Sequence, residues 1–225
     1  MKKKSKNFIE AEKKVGNKDY SIEEAITKLK EASFEKFDAT VEAHIRLGID
    51  VSKSDQHIKG SATLPHGSGK KVRAAVFASA DLQKKAKTAG ADLVGGEDLI
   101  EKINKSKKCD FDVAIATPDM MKHLSKVAKI LGPKGLMPNP KTGTVDPDPV
   151  KVLNELQSGK INFKNDPAGI IHQTIGKKSY DDAKLIENFN ALMGAIKKTK
   201  PSKVKGEFIE RITICTSMGP GVKVK

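Results

Sequence analysis

KILGPKGLMPNPKTGTV, residues 129–145, gathers three prolines (Pro133, Pro138, Pro140), three glycines (Gly132, Gly135, Gly143) and three lysines (Lys129, Lys134, Lys141) in a run with neither helical nor strand periodicity. Proline pins φ and glycine opens the positive-φ region, so alternating them removes entropy from a segment that would otherwise be floppy. The stretch is therefore a loop of fixed shape. Two readings of its lysines stand open: solvated cations on a stiff connector, or ammonium groups held in a chosen geometry for a ligand.

On either side of this loop, strands and helices alternate. The apolar runs predict a strand at 72–77 (VRAAVF), a helix at 81–89 closed by Gly90, a short strand at 93–94, a helix at 97–104 and a strand at 111–116. Thr117-Pro118 then opens a helix that ends at Gly132-Pro133, and another helix begins at Asp148-Pro149 and closes at Gly159. Alternation of this kind, with nearly continuous apolar strands, marks a parallel sheet covered on both faces. The middle of the chain is expected to be a three-layer, Rossmann-like α/β domain.

Further out the grammar changes. Over residues 40–49, Val41, Ala43, Ile45, Leu47 and Ile49 face one way, and Thr40, Glu42, His44 and Arg46 the other. This is a half-buried strand with a polar face open to a ligand. Ser21 with Glu24 forms a capping box for a helix to about residue 32, and Ile58, Gly60, Ala62 and Leu64 predict a second, antiparallel strand. Beyond Gly159, residues 161–163 and 171–175 read as the arms of a hairpin across NDPAG. Ser179 is expected to cap a helix that Pro201 stops, and a last strand at 208–216 is broken by Ser217 to Gly221 and resumes at 222–224. Both flanks share one style, so residues 1–66 and 159–225 are expected to build one discontinuous α+β outer domain. It hosts the inserted α/β domain at 67–158, with Gly67, Gly69 and Ser158-Gly159 as hinges.

The chain has 225 residues and a formal net charge of +14, and residues 159–225 alone hold 13 basic against 6 acidic residues. A field of this sign attracts polyanions, and no basic amphipathic helix points to a membrane. With neither an apolar leader nor a long apolar run, the chain is expected to be cytoplasmic, and Met1 to Lys6 a disordered lysine-rich arm. Cys109 and Cys215 lie in apolar runs and are expected to be buried, reduced thiols. With no Trp, two Tyr and eight Phe, the aromatics are needed for the core, which favours folded over single-stranded RNA as the polyanion.

GPKGLMPNPKTGTV, residues 132–145, resembles the signature of the large-subunit ribosomal protein L-one family, the protein of the mobile stalk beside the tRNA exit site. The resemblance covers nearly the whole chain and implies the same two-domain arrangement. It implies a non-catalytic protein, monomeric within the ribosome, whose partners are large-subunit rRNA, exit-site tRNA and the messenger of its own operon. The implied roles are binding the stalk rRNA, helping deacylated tRNA leave, and repressing that messenger.

Three segments are expected to form one RNA surface on the outer domain. Lys36, Phe37 and Thr40 lie at the entry to the first strand, Lys164 and His172 on the hairpin, and Ser217, Met218 and Gly219 at the break in the last strand. A broken strand exposes backbone polar groups, and glycine lets a ribose or phosphate approach closely. The family resemblance implies RNA contact for a Thr-Met-Gly triad here, with Ser217 in place of the threonine, and for Phe37 and His172. Phe37 is equally readable as a core aromatic. Lys134 and Lys141 are expected to make secondary electrostatic contacts.

The competing reading is a Rossmann-like enzyme acting on a nucleotide or phosphorylated substrate. HGSGKK resembles a phosphate loop, but Leu64 stands where the first glycine is required, Lys71 where Ser or Thr should hold magnesium, and the run precedes a strand. The five histidines, His44, His57, His66, His123 and His172, are scattered without ligand spacing, so no metal, cofactor or catalytic set is expected.

Overall fold

The computed structural model describes residues 4–202, 204 and 206–225, without the side chains of Ser54 and Lys141. The chain falls into two compact units, Met1–Gly69 with Ile161–Lys225, and Lys70–Lys160. Crossings expected after residues 66 and 158 fall after 69 and 160.

The first piece of the outer unit carries α1 (Lys6–Val15), β1 (Asp19–Tyr20), α2 (Ile22–Ala32), β2 (Thr40–Leu47) and β3 (Lys59–Thr63). The inserted unit follows with β4 (Ala74–Phe77), α3 (Ala80–Thr88), β5 (Leu93–Gly95), α4 (Glu97–Ser106), β6 (Val113–Ala116), α5 (Met121–Leu124), α6 (Ala128–Leu131) and α7 (Pro149–Gln157). The outer unit closes with β7 (Lys160–Lys164), β8 (Ile170–Lys177), α8 (Asp182–Lys198), β9 (Ile209–Thr216) and β10 (Val222–Val224).

In the inserted unit, β5-β4-β6 form a parallel sheet. Side chains alternate across β4, so Ala74 and Val76 pack with Ala86 of α3 and Val152, Leu153 and Leu156 of α7, while Ala75 and Phe77 pack with Ile100 and Ile103 of α4 and with Leu124 and Leu131. That is a helix–sheet–helix sandwich. α7 begins as expected, with the Asp148 carboxylate accepting from the Val150 N–H at 3.1 Å and Pro149 at the first position. The single helix expected over 118–131 is broken into α5 and α6 by a 3-10 turn at Ser125–Val127. Ser125 Oγ donates back to the Lys122 carbonyl and competes with the helical ladder there.

The outer unit is built on a five-stranded sheet, β1-β10-β9-β2-β8, antiparallel except for β1 beside β10. Its inner face, Val41, Ala43, Ile45 and Leu47 with Ile171, Ile175, Ile212 and Ile214, packs on α2 and α8 in one core with Ile26, Leu29, Leu185, Phe189 and Leu192. α2 starts with the capping box of Ser21 and Glu24. Ser179 does not cap α8; Asp181 holds that position, and Ser179 bonds the Asp38 carboxylate through its N–H at 3.0 Å and its Oγ at 2.9 Å.

Strand pairing departs from sequence order twice. β3 and β7 pair with each other in a separate two-stranded sheet, and the residue 161–175 hairpin is reduced to one bridge, Asn165 with Ile171. The buried Asn165 explains this by accepting from the Ile58 N–H at 2.8 Å, which ties the end of β7 to the start of β3. β10 does not continue β9 but folds back antiparallel on it, Val222 beside Ile214, so Ser217 to Gly221 is a hairpin turn. Helix α1 had no counterpart in the sequence reading. Ser5 caps it and Ala11 and Val15 are buried, so the lysine-rich arm ends in a helix, while residues 1–3 lie outside the described residues.

The first crossing is strapped to its own unit. Buried Asn188 accepts from the His66 N–H at 3.0 Å and donates to the carbonyls of Gly67 at 3.0 Å and Ile175 at 2.8 Å, and His66 pairs with Glu187 at 2.6 Å. The second crossing is held to the inserted unit by Lys160, which pairs with Glu155 at 2.7 Å.

Candidate nucleic-acid interface

At one end of the five-stranded sheet, β2 begins, β8 finishes and β9 turns into β10. Register places Thr40 beside Lys177 and Val41 beside Thr216. The Thr40 N–H donates to Ser217 Oγ at 3.1 Å, and Lys177 Nζ donates to Thr40 Oγ1 at 2.9 Å. Behind Thr40, the Ala39 carbonyl accepts from the Lys178 N–H at 2.8 Å. Three distant segments are thus stitched together at Thr40.

Glu35 organises the turn from below. One of its oxygens accepts from the Met218 N–H at 3.2 Å and from Thr216 Oγ1, and the other from Ser33 Oγ. Burial alone would raise this carboxyl; the hydrogen bonds from Ser33, Thr216 and the Met218 backbone overcome it and hold it below its ordinary value. The turn is therefore pinned by an ionised carboxylate.

With its backbone fixed, the turn presents Met218 at 56% exposure, and the loop before β2 presents Phe37 at 53%. This removes the core reading of Phe37, because a ring more than half exposed contributes little to packing and offers a face to a base or ribose. Lys36 is exposed beside it. Gly219 has a different reason from the one expected: a Cβ there would lie 2.3 Å from Thr216 Oγ1, so glycine is required by the turn's own packing.

His172 and Lys164 stand apart from this end. His172 pairs with His44, four residues or ~13 Å along β2 from Thr40. Lys164 is exposed at the end of β7, and the Asn165–Ile171 bridge sets it one rung from His172. They form a flanking patch on the sheet's open face, whose other residues include Glu42, Arg46, Arg211, Thr213 and Cys215.

That face also corrects two expectations. His44 and His172, scattered in sequence, meet with their Nδ1 atoms 2.8 Å apart, and His44 Nε2 lies 3.1 Å from Cys215 Sγ. Cys215 is half-buried on a polar face, not in the apolar core, because its register partner is Glu42. Burial, then the Glu42 and Glu35 carboxylates, push its thiol up to about 11. Lys177 and Glu35 were missed by sequence reasoning; the Lys177-Lys178 pair was a visible signal, whereas nothing local marked Glu35.

In the inserted unit, the signature loop holds itself. Buried Thr144 accepts from the Asn139 N–H at 2.8 Å through Oγ1, its own carbonyl accepts from the Ala116 N–H at 3.0 Å, and Val145 bridges Ala116 in parallel as a short extension of the sheet. Leu136 and Met137 pack on the core. Lys134 is exposed, and its Nζ donates to the Lys107 carbonyl at 3.3 Å. The side chain of Lys141 lies outside the described residues. The phosphate-loop reading of HGSGKK fails on context, since the run leads into β4 and places no helix N-terminus over a phosphate.

The model of the family described as "Ribosomal protein L1p/L10e family" matches residues 29–220. The chain is 47% identical over 223 residues to the large ribosomal subunit protein uL1 of Solibacter usitatus, covering 99% of this chain and 94% of that one. It is 50% identical over 225 residues to the protein of the same name from Macrococcus caseolyticus, covering 100% and 97%.

Proposed function

The chain belongs to the ribosomal protein L1p/L10e family and is a structural, non-enzymatic protein of the large ribosomal subunit; from that premise we propose that it binds a folded stalk element of large-subunit rRNA through the end of its five-stranded sheet. The observation that carries this reading is the hydrogen-bonded meeting of Thr40 with Ser217, which sets the exposed Phe37 and Met218 on one rigid edge beside Lys36 and Lys177. Apolar side chains on a fixed backbone give ribose and base contact, and the lysines give phosphate contact. His172 and Lys164 extend the footprint along the sheet. Lys134 and Lys141 of the inserted unit add secondary contacts.

On this reading, the hinges lie just beyond the two anchors, at residues 70–72 after the first crossing and beyond Lys160 at the second. The inserted unit then moves with the stalk as deacylated tRNA leaves the exit site, and the same interface represses translation of the operon messenger through an rRNA-like structure. Binding of the full chain to a stalk rRNA fragment tests the interface. Phe37→Ala and Met218→Ala should each weaken binding by about 1–3 kcal/mol while leaving the circular dichroism spectrum unchanged. Unchanged affinity in both variants would remove the sheet end from the interface.

A further inference from the structure

Glu42, His44 and Cys215 rise from the open face of the outer sheet at one place. Residues i and i+2 of β2 share a face, and Cys215 of β9 is the register partner of Glu42. One carboxylate oxygen, one imidazole nitrogen and the thiol sulfur all lie within 4.8 Å of one another. His44 Nε2 is 3.1 Å from Cys215 Sγ and 4.0 Å from a Glu42 oxygen. Zinc bonds of about 2.0–2.3 Å at tetrahedral angles set their ligands roughly 3.5 Å apart, so the two separations straddle the required one. Rotation of the long Glu42 side chain closes the remainder.

A second observation aims the imidazole. The Asp166 carboxylate lies 3.3 Å from His172 Nε2 and accepts a hydrogen bond from the N–H at that nitrogen. His172 Nδ1 is then a lone pair, which accepts the Nδ1–H of His44 at 2.8 Å. His44 Nε2 is left as the lone pair facing Cys215 and Glu42. A carboxylate–imidazole–imidazole chain is the outer arrangement that orients a metal-ligating histidine.

We infer that Glu42, His44 and Cys215 form a three-ligand site for a thiophilic divalent cation of the zinc class, open at a fourth position, with His172 and Asp166 as its orienting chain. Thiolate and imidazole together select such a cation over magnesium or calcium. Binding forms a sulfur–metal bond and breaks the Cys215 S–H bond, releasing one proton to solvent, while His44 coordinates through a nitrogen that carries none.

Cobalt(II) is the probe, added to the full chain free of RNA, so that failure here leaves the rRNA reading untouched. Wild type and Cys109→Ser should develop a thiolate-to-cobalt charge-transfer band that zinc abolishes and magnesium does not, whereas Cys215→Ser and His44→Asn should lack it. His172→Ala should weaken cobalt binding about tenfold or more. Without any substitution, zinc at about ten times its dissociation constant should slow alkylation of Cys215 about tenfold and leave Cys109 unchanged, read by mass spectrometry. No band in wild type, a band surviving in Cys215→Ser, or unprotected Cys215 overturns the inference.

Discussion

Glu35 fixes the turn between β9 and β10 from beneath, while Phe37 and Met218 face outward. Its folded value is depressed, so its contribution to the turn is present above the ordinary carboxyl value of 4.5 and is lost as pH falls through the lower folded value. The amide signal of Met218, followed by NMR, should therefore titrate with a midpoint below 4.5, and a midpoint at or above it would separate the turn from Glu35. Glu35→Ala leaves the Met218 N–H and Thr216 hydroxyl without their acceptor; it should cost the turn about 1–3 kcal/mol, measured as faster amide exchange at Met218. Gly219→Val should act the same way, through its clash with Thr216 Oγ1, so lost RNA binding in that variant would report a disturbed turn. None of this was legible in sequence. Ser217, Met218 and Gly219 were recognisable through the family resemblance, but the partner that fixes them lies 183 positions from Met218.

At the scale of elements, local grammar was readable wherever hydrogen bonds stay local. The Ser21 capping box, the Asp148-Pro149 start of α7 and the strand-helix alternation from β4 to β6 depend on neighbours a few residues apart, and they stand as expected. Pairings chosen by distant polar groups were not. β3 chooses β7 because Asn165 reaches Ile58, and Ser179 leaves α8 for Asp38. In the signature loop, prolines and glycines shape a self-bonded extension of the inserted sheet. Thr144→Val keeps the volume and removes the hydroxyl that accepts the Asn139 N–H. Amide exchange at Asn139 should accelerate by the equivalent of about 1–3 kcal/mol, with the rest of the unit little changed. Exchange at the wild-type rate would make the hydroxyl dispensable.

At the scale of the molecule, the formal charge of +14 makes RNA affinity fall as salt rises. Lys36→Gln or Lys164→Gln should each flatten the slope of log affinity against log salt by up to about one unit, and an unaltered slope would place that ammonium away from phosphate. Composition and periodicity change style near both crossings, but how the two pieces of the outer unit join was not legible. They join where β2 pairs with β8 and β9, where β3 pairs with β7, and along β1 and β10, parallel neighbours with Asp19 beside Lys223 and the Lys225 N–H bonded to the Tyr20 carbonyl at 3.0 Å. Synthesis thus supplies every strand of the inserted sheet before β10 exists. A nascent chain can complete that core while the earlier-made β2 waits for β8, β9 and Ser217 to emerge. Under the proposed rRNA reading, the surface at Thr40 is thus completed only after the whole inserted unit has been synthesised.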